Sequence, residues 1–345
     1  MPNQSPAWNR QDTCTVVAEV SANHGGSLDR AIEMIRTAKA CGADVVKFQV
    51  YTPDSLTIDV DNRYFRVDHP KWGGQTLYEL YSKAHTPFEW LPRLKDVCDE
   101  TGIAFLCTAF DKRGVDLLEE LGVGAHKIAS FELVDLSLVA YAAGTGKPLI
   151  LSTGMSTLAE IQDAVDAAKA SGAEQITLLK CISSYPAQPS EMNLATIPHM
   201  AALFGCPVGL SDHSLGIAAA VAAVSLGARM VEKHFVLSRT IESADNFFSI
   251  EPGELEELVQ SVRIAEKAVG RVRYGVTENE MSSRVFRRSL FIVKDMQAGE
   301  VFSEDNVRSI RPGHGLSPKH FQDVRGRKAR CHLEKGTPLQ WDVIA

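Results

Sequence analysis

Two histidines carry the most pointed chemical signal in the chain. One lies in Gly209-Leu210-Ser211-Asp212-His213-Ser214, the other in Val231-Glu232-Lys233-His234-Phe235. Each segment follows a short apolar run, and a helix-like stretch lies between them. If the two runs are neighbouring parallel strands, both imidazoles emerge on one rim, where they can hold a divalent metal. A lone histidine is more often a satisfied hydrogen-bonding residue. Two at adjacent strand ends make the metal reading as good as the structural one. Asp212 and Glu232 are candidate ligands or orienting groups beside them.

Other polar residues fall at comparable strand-end positions. They include Glu19, Asn23, His24, Lys47, Gln49, Thr108, Lys127, Ser130, Glu132, Ser152, Thr153, Ser183, Ser184, Tyr185, Ser211 and Lys233. Lys47 and Lys127 with several hydroxyls converging on one mouth suit a phosphorylated or carboxylated substrate. Lys47 and Lys127 each have rival roles, as a Schiff-base amine or as a structural ion-pair partner. Glu19 reads equally well as a general base or as a lysine's counter-charge.

The elements that must position these groups alternate along the chain. Apolar runs at 15–20, 44–48, 103–107, 126–129, 148–151, 176–180, 207–210 and 229–233 alternate with amphipathic stretches such as LDRAIEMIRTAKACG and TLAEIQDAVDAAKASG. Several of those stretches end in glycine, the usual residue after a helix C-terminus. Eight βα units with polar strand ends predict a TIM (β/α)8 barrel, with a doubly wound open sheet as the runner-up. The connection 51–87 is too long for a simple βα turn. It reads as a functional loop or lid, or as a surface excursion with its own small core of Tyr64, Phe65, Trp72, Tyr78 and Tyr81. The domain reading is a barrel over 1–270, a polar linker over 271–285 and a small all-β module over 286–345.

Composition narrows the function classes. A net charge of −7 argues against a general nucleic-acid binder. Residues 286–345 carry eleven Lys and Arg against seven Asp and Glu, so the net positive charge sits in that module. No apolar run reaches membrane-spanning length, and the first residues lack the pattern of a signal peptide. Seven cysteines without paired spacing predict reduced thiols and a cytoplasmic enzyme. Cys107 and Cys181 read as small buried fillers.

The segments AEVSANHGGSLDRAIEMI, GADVVKFQ, KIASFEL, LILSTGMSTLAEI, CISSYPAQPSEMNL, VGLSDHSLG and VEKHFVLSR resemble the sialic acid synthase family, nearly end to end. KDMQAGEVFSEDNVRSIRPGHGLSP resembles the antifreeze-protein-like (SAF) domain of that family. The loop YTPDSLTIDVD, WGGQTLYELYSKAHTPFEW and ADNFFSIEP are most similar to the branch that forms pseudaminic acid. The resemblance implies condensation of phosphoenolpyruvate with an acetamido sugar and water, a divalent metal (Mn2+, Mg2+ or Co2+) and a domain-swapped homodimer, with neither nucleic acid nor membrane as partner. It implies His213 and His234 as metal ligands and Glu19 as a catalytic glutamate. It places phosphoenolpyruvate against Lys47, Thr108, Lys127, Ser130, Ser152, Ser183 and Ser211, and the sugar against Gln49, Glu132, Tyr185 and Asp245. Arg311 would cross a dimer interface to the sugar site. Departures from the family pattern at NHGGS, at Ser183 and around Asp245 bear on the choice of sugar. The rivals are a sister synthase acting on N-acetylmannosamine or a legionaminic acid precursor, a Schiff-base aldolase using Lys47 or Lys127, and a non-catalytic relative.

Overall fold

Eight short buried strands pair in parallel and close on themselves in sequence order. They are β1 (Thr15–Glu19), β2 (Val45–Val50), β3 (Ala104–Ala109), β4 (His126–Ile128), β5 (Leu149–Ser152), β6 (Ile176–Cys181), β7 (Val208–Asp212) and β8 (Met230–His234). β8 returns to β1 with Glu19 opposite His234, which closes the barrel and excludes the open sheet. This computed structural model describes residues 13–345. The observed strands run on by a residue or two at several C-terminal ends, taking in Gln49, Thr108, Ser152, Ser211 and His234. Those polar residues continue the ladder because their side chains point into a mouth rather than into apolar packing.

The two-residue period of a strand decides what each residue faces. Val17, Val45, Leu106, Ala125, Ile150, Leu179 and Met230 share one parity and form the barrel's inner layer. Val16, Ala18, Val46, Phe48, Ile128, Leu151, Leu210 and Val231 share the other and pack outward against the helices. Two residues beyond the inner apolar layer, the same inward row turns polar: Glu19, Lys47, Thr108, Lys127, Ser152, Cys181, Ser211 and Glu232. The barrel thus carries a dry plug below a charged floor, at the strand C-termini.

Helices follow each strand. Ser27 caps Leu28–Ala40, and Thr157 with Glu160 forms a capping box at the start of Leu158–Ala170. Pro252–Val269 is the last helix of the first compact unit, which ends at Gly270. Arg271–Ala345 forms a second compact unit. There β9 (Ser289–Ile292) pairs antiparallel with β10 (Val307–Ile310) over a small core of Leu290, Ile292, Met296, Phe302, Val307 and Leu339. The other expected strands there reduce to single bridges such as Met296–Leu333 and Ala329–Ile344. Glycines and prolines interrupt those runs before a ladder can extend. No helix among the described residues is long and apolar enough to cross a membrane.

The excursion after β2 folds into short helices at Pro53–Leu56 and Leu77–Ala84. Of the two readings of this segment, the one with a small aromatic core of its own is not what the structure shows. Tyr64 is 71% exposed, Tyr78 turns outward to donate to Asp54, and none of the five aromatic residues joins a buried cluster. Leu56, Val67, Trp72, Leu77, Leu80 and Tyr81 of the excursion instead face the barrel mouth.

Candidate active site

The floor is built from adjacent strands. Lys47 on β2 sits between two carboxylates, 3.0 Å from the Glu19 Oε2 of β1 and 3.0 Å from the Glu232 Oε1 of β8. It also donates to Thr108 on β3 at 3.1 Å, and Ser211 donates to Glu232 at 3.2 Å. Gln49 donates to Glu19 at 3.0 Å. Burial lowers an ammonium, but the two carboxylates outweigh it and hold Lys47 above its ordinary range. Burial raises the Glu19 carboxyl despite Lys47. It would raise Glu232 too, yet Lys47 and Lys127 hold that group low. The shared lysine thus leaves one carboxyl more basic than the other, a separation suited to acid–base work at Glu19.

Lys127 on β4 differs. Its ammonium donates to the Ser152 Oγ at 2.6 Å and the Ile128 carbonyl at 3.0 Å. It is 1% exposed and makes no ion pair among the described residues. Burial therefore prevails and draws it down to about 8, against the pull of Glu232. A buried cation with only neutral partners is costly unless a ligand supplies the counter-charge. The hydroxyls of Thr108, Ser130, Ser152 and Ser211 line the same cavity. The Gly154 N–H donates to the Ser130 Oγ at 3.0 Å. A Cβ at Gly154 would fall 2.2 Å from the Ser183 Oγ and 2.8 Å from the Ser130 Oγ, so only glycine lets these hydroxyls close up.

His213 and His234 meet across the mouth with ring centroids 5.3 Å apart. The His213 Nδ1 donates to the Ile182 carbonyl at 2.8 Å, which fixes the tautomer that leaves Nε2 bare. The His234 Nδ1 is buried and makes no hydrogen bond, with the Asp245 Oδ2 standing 3.5 Å away. Two rings with an available nitrogen each, facing one cavity, fit a divalent ion. No third His, Cys, Asp or Glu completes a ligand set among the described residues, so the remaining positions would fall to substrate and water. Behind the rings, Lys233 bonds Asp212 at 2.8 Å and the Ser214 carbonyl at 2.6 Å, while Asp212 accepts from the Ser214 N–H and hydroxyl. This outward-facing pair staples the two histidine-bearing strand ends together.

Loops build the upper cavity, which encloses about 510 Å3. Asn23 donates to the Phe235 carbonyl and to Ser249, each at 2.8 Å, and Ser249 donates to the Asp245 carbonyl, so the β1 loop holds Asp245 in place. The Trp72 Nε1 donates to the Ala244 carbonyl at 2.7 Å and ties the excursion to the β8 loop. Glu132 reaches the cavity from beyond β4, where burial raises it to about 7 against the pull of Lys127.

Of the residues singled out from sequence, Lys47, Gln49, Thr108, Lys127, Ser130, Glu132, Ser152, Tyr185, Ser211, His213, His234 and Asp245 all line this cavity. Glu19 lies just beneath it, fully buried, and Ser183 packs against Gly154 at its edge. Arg311 belongs to the second compact unit, exposed just past β10. His24 is structural: it accepts from the Gly26 N–H, meets Thr86 at 3.2 Å, and burial lowers it to about 4. Cys181 is buried, as the filler reading has it, and it also lines the cavity 3.8 Å from the His213 Nδ1. Burial would raise its thiol, yet His213, Ser130 and Ser183 bring it down to about 7. Its inward parity on β6, two residues after Leu179, was the available signal.

The sequence profile of the NeuB family matches residues 34–274, and that of the SAF domain matches residues 287–345. The chain belongs to the NeuB family. It is 42% identical over 333 residues to the pseudaminic acid synthase of Campylobacter jejuni subsp. jejuni serotype O:23/36 (strain 81-176), covering 96% of this chain and 97% of that one. It is 38% identical over 330 residues to the pseudaminic acid synthase of Helicobacter pylori (strain ATCC 700392 / 26695), covering 95% and 97%. The crystal structure of the N-acetylneuraminic acid synthetase of Leptospira borgpetersenii serovar Hardjo-bovis, in complex with citrate, superposes with a TM-score of 0.71 at 31% identity, over 79% of this chain and 90% of that one. The residues matched to the NeuB family include both histidine segments, His213 and His234.

Proposed function

We propose that the chain is a pseudaminic acid synthase, condensing phosphoenolpyruvate with 2,4-diacetamido-2,4,6-trideoxy-L-altrose and water and releasing phosphate. The observation that carries this reading is Lys127, a buried cation with no carboxylate in hydrogen-bond contact, bonded to the Ser152 hydroxyl in a cavity lined by further hydroxyls and wide enough for two small substrates. The near full-length likeness to two pseudaminic acid synthases supports the choice of sugar.

The geometry supports the following roles. Lys127, with Thr108, Ser130, Ser152 and Ser211, receives the carboxylate and phosphate of phosphoenolpyruvate and neutralises the charge gathering on the leaving phosphate. Lys47 stays charged between its carboxylates and orients Glu19. The methylene carbon of phosphoenolpyruvate forms a bond to the aldehyde carbon of the open-chain sugar, and cationic character passes to the enol-ether carbon. Water adds there and gives a proton to Glu19, whose raised carboxyl suits it as a base once ionised; of the two protons the water loses by the end, one goes to the alkoxide that the new C–C bond leaves on the sugar and the other to the departing phosphate. The tetrahedral carbon then collapses, breaking its C–O bond to phosphate. Gln49, Glu132, Tyr185 and Asp245 hold the sugar. His213 and His234 are the residues that would hold Mn2+, Mg2+ or Co2+, an ion that supplies Lewis acidity to the aldehyde oxygen when bound. No amine need attack a carbonyl, because the enol is already activated as its phosphate.

The proposal extends to a homodimer in which Arg311 of one subunit reaches the sugar of the other, supported by the exposure of Arg311. It extends also to a cytoplasmic setting, supported by seven unpaired cysteines. Purified protein given phosphoenolpyruvate, Mn2+ and a panel of acetamido hexoses tests the reading. Phosphate release with the diacetamido-trideoxy sugar, and a product of nonulosonate mass, is the expected result. An imine trapped by borohydride at Lys127 or Lys47 would overturn it in favour of an aldolase.

A further inference from the structure

The cavity has two unlike halves. Its floor is the lysine, carboxylate, hydroxyl and histidine set, while the excursion contributes Leu56, Val67, Leu77, Leu80 and Trp72 to its wall. The four aliphatic residues are half-buried, yet none belongs to any cluster of packed core residues. Apolar side chains gathered on a concave wall outside any packed core are surface kept for a ligand. The wall is also braced. Trp72 is pinned to the Ala244 carbonyl and its ring lies 5.5 Å from that of Tyr185 and 6.0 Å from that of Phe247.

We infer that this excursion wall is the specificity surface of the site and seats a methyl-bearing part of the sugar. The inference rests on the condensing reading above, since an aldehyde held at the histidines and the phosphoenolpyruvate floor leaves the far end of the sugar to reach the wall. A hydroxyl placed against Leu77 and Leu80 would lose its water and gain no partner from those side chains. A methyl placed there covers apolar surface instead. Two groups of the proposed sugar offer that chemistry, the deoxygenated terminal carbon and the methyl of an acetamido group.

Three sugars separate them: the diacetamido-trideoxy hexose, its 6-hydroxy counterpart, and a counterpart with formamido groups in place of acetamido. Phosphate release is measured with each for the wild type, Leu80→Asn, Leu77→Asn and Leu80→Met. The wild type should disfavour one analogue by about 10- to 100-fold in kcat/KM, and the disfavoured analogue names the group at the wall. Leu80→Asn or Leu77→Asn should narrow that ratio about tenfold, Leu80→Met should restore it, and the KM for phosphoenolpyruvate should stay put. Equal use of all three sugars by the wild type, or a ratio unmoved in both Asn variants, overturns the inference. Calorimetric binding of the sugars without phosphoenolpyruvate reads the same preference independently of turnover. A binding preference without phosphate release refutes the condensation and keeps the wall, whereas equal binding of all three refutes the wall.

Discussion

Raising the pH from 7 to 9.5 should switch off one of the two floor lysines and leave the other charged. Burial draws Lys127 down to about 8, whereas Glu19 and Glu232 push Lys47 well above its ordinary value. The sign follows directly: below its titration point Lys127 is an ammonium and binds an anion, and above it the amine is neutral. Each unit above that point divides the charged fraction by about ten, or 1.36 kcal/mol. In the free enzyme, kcat/KM for phosphoenolpyruvate should therefore fall about twofold at pH 8 and about tenfold at pH 9, relative to its plateau. Phosphate release at saturating sugar and constant ionic strength measures it. Lys127→Met should cost about 2–5 kcal/mol in kcat/KM, because the anion is left without its cation in a buried site. The variant should also lose the break near pH 8. A wild-type profile flat to pH 9.5, or the same break persisting in Lys127→Met, would refute the assignment of Lys127 as the uncompensated cation.

Lys233→Met should destabilise the fold by about 3–5 kcal/mol, because it leaves the buried Asp212 carboxylate unpaired. Adding Asp212→Asn should recover much of the loss, and urea denaturation midpoints of the single and double variants measure both. With Mn2+ at about 100 times its dissociation constant, the wild type should gain about 2.7 kcal/mol in stability. His213→Ala and His234→Ala should each abolish that gain in a thermal melt, and an undiminished gain in either variant would move the metal elsewhere.

The barrel was legible because its strands are short and apolar and its helices carry caps and glycine stops. Both periods are local properties of the chain. The site was largely legible for a related reason: in a parallel barrel all strand ends meet at one rim, so polar residues ending β1 to β8 must converge. The strand register of the closed barrel turns Lys47, Lys127 and Glu232 inward and Lys233 outward. Sequence proximity had grouped Lys233 with the catalytic lysines, but the fold uses it to staple β7 to β8.

What the chain's order of residues could not convey was who touches whom across that rim. Lys47 and Lys127 are alike in sequence context, each in an apolar strand with a hydroxyl nearby. Only closure of the barrel puts Glu19 and Glu232 around the first and leaves the second with no carboxylate in contact, and the resulting electrostatics make the two lysines different groups. The excursion was likewise ambiguous, since aromatic and aliphatic residues in a long loop suit a private core as well as a ligand wall. The tertiary path of that loop, pinned at Trp72 to the β8 loop, turns those side chains onto the cavity. Local periodicity specifies elements because it acts between near neighbours, whereas charge compensation and cavity lining depend on distances between residues far apart in the chain.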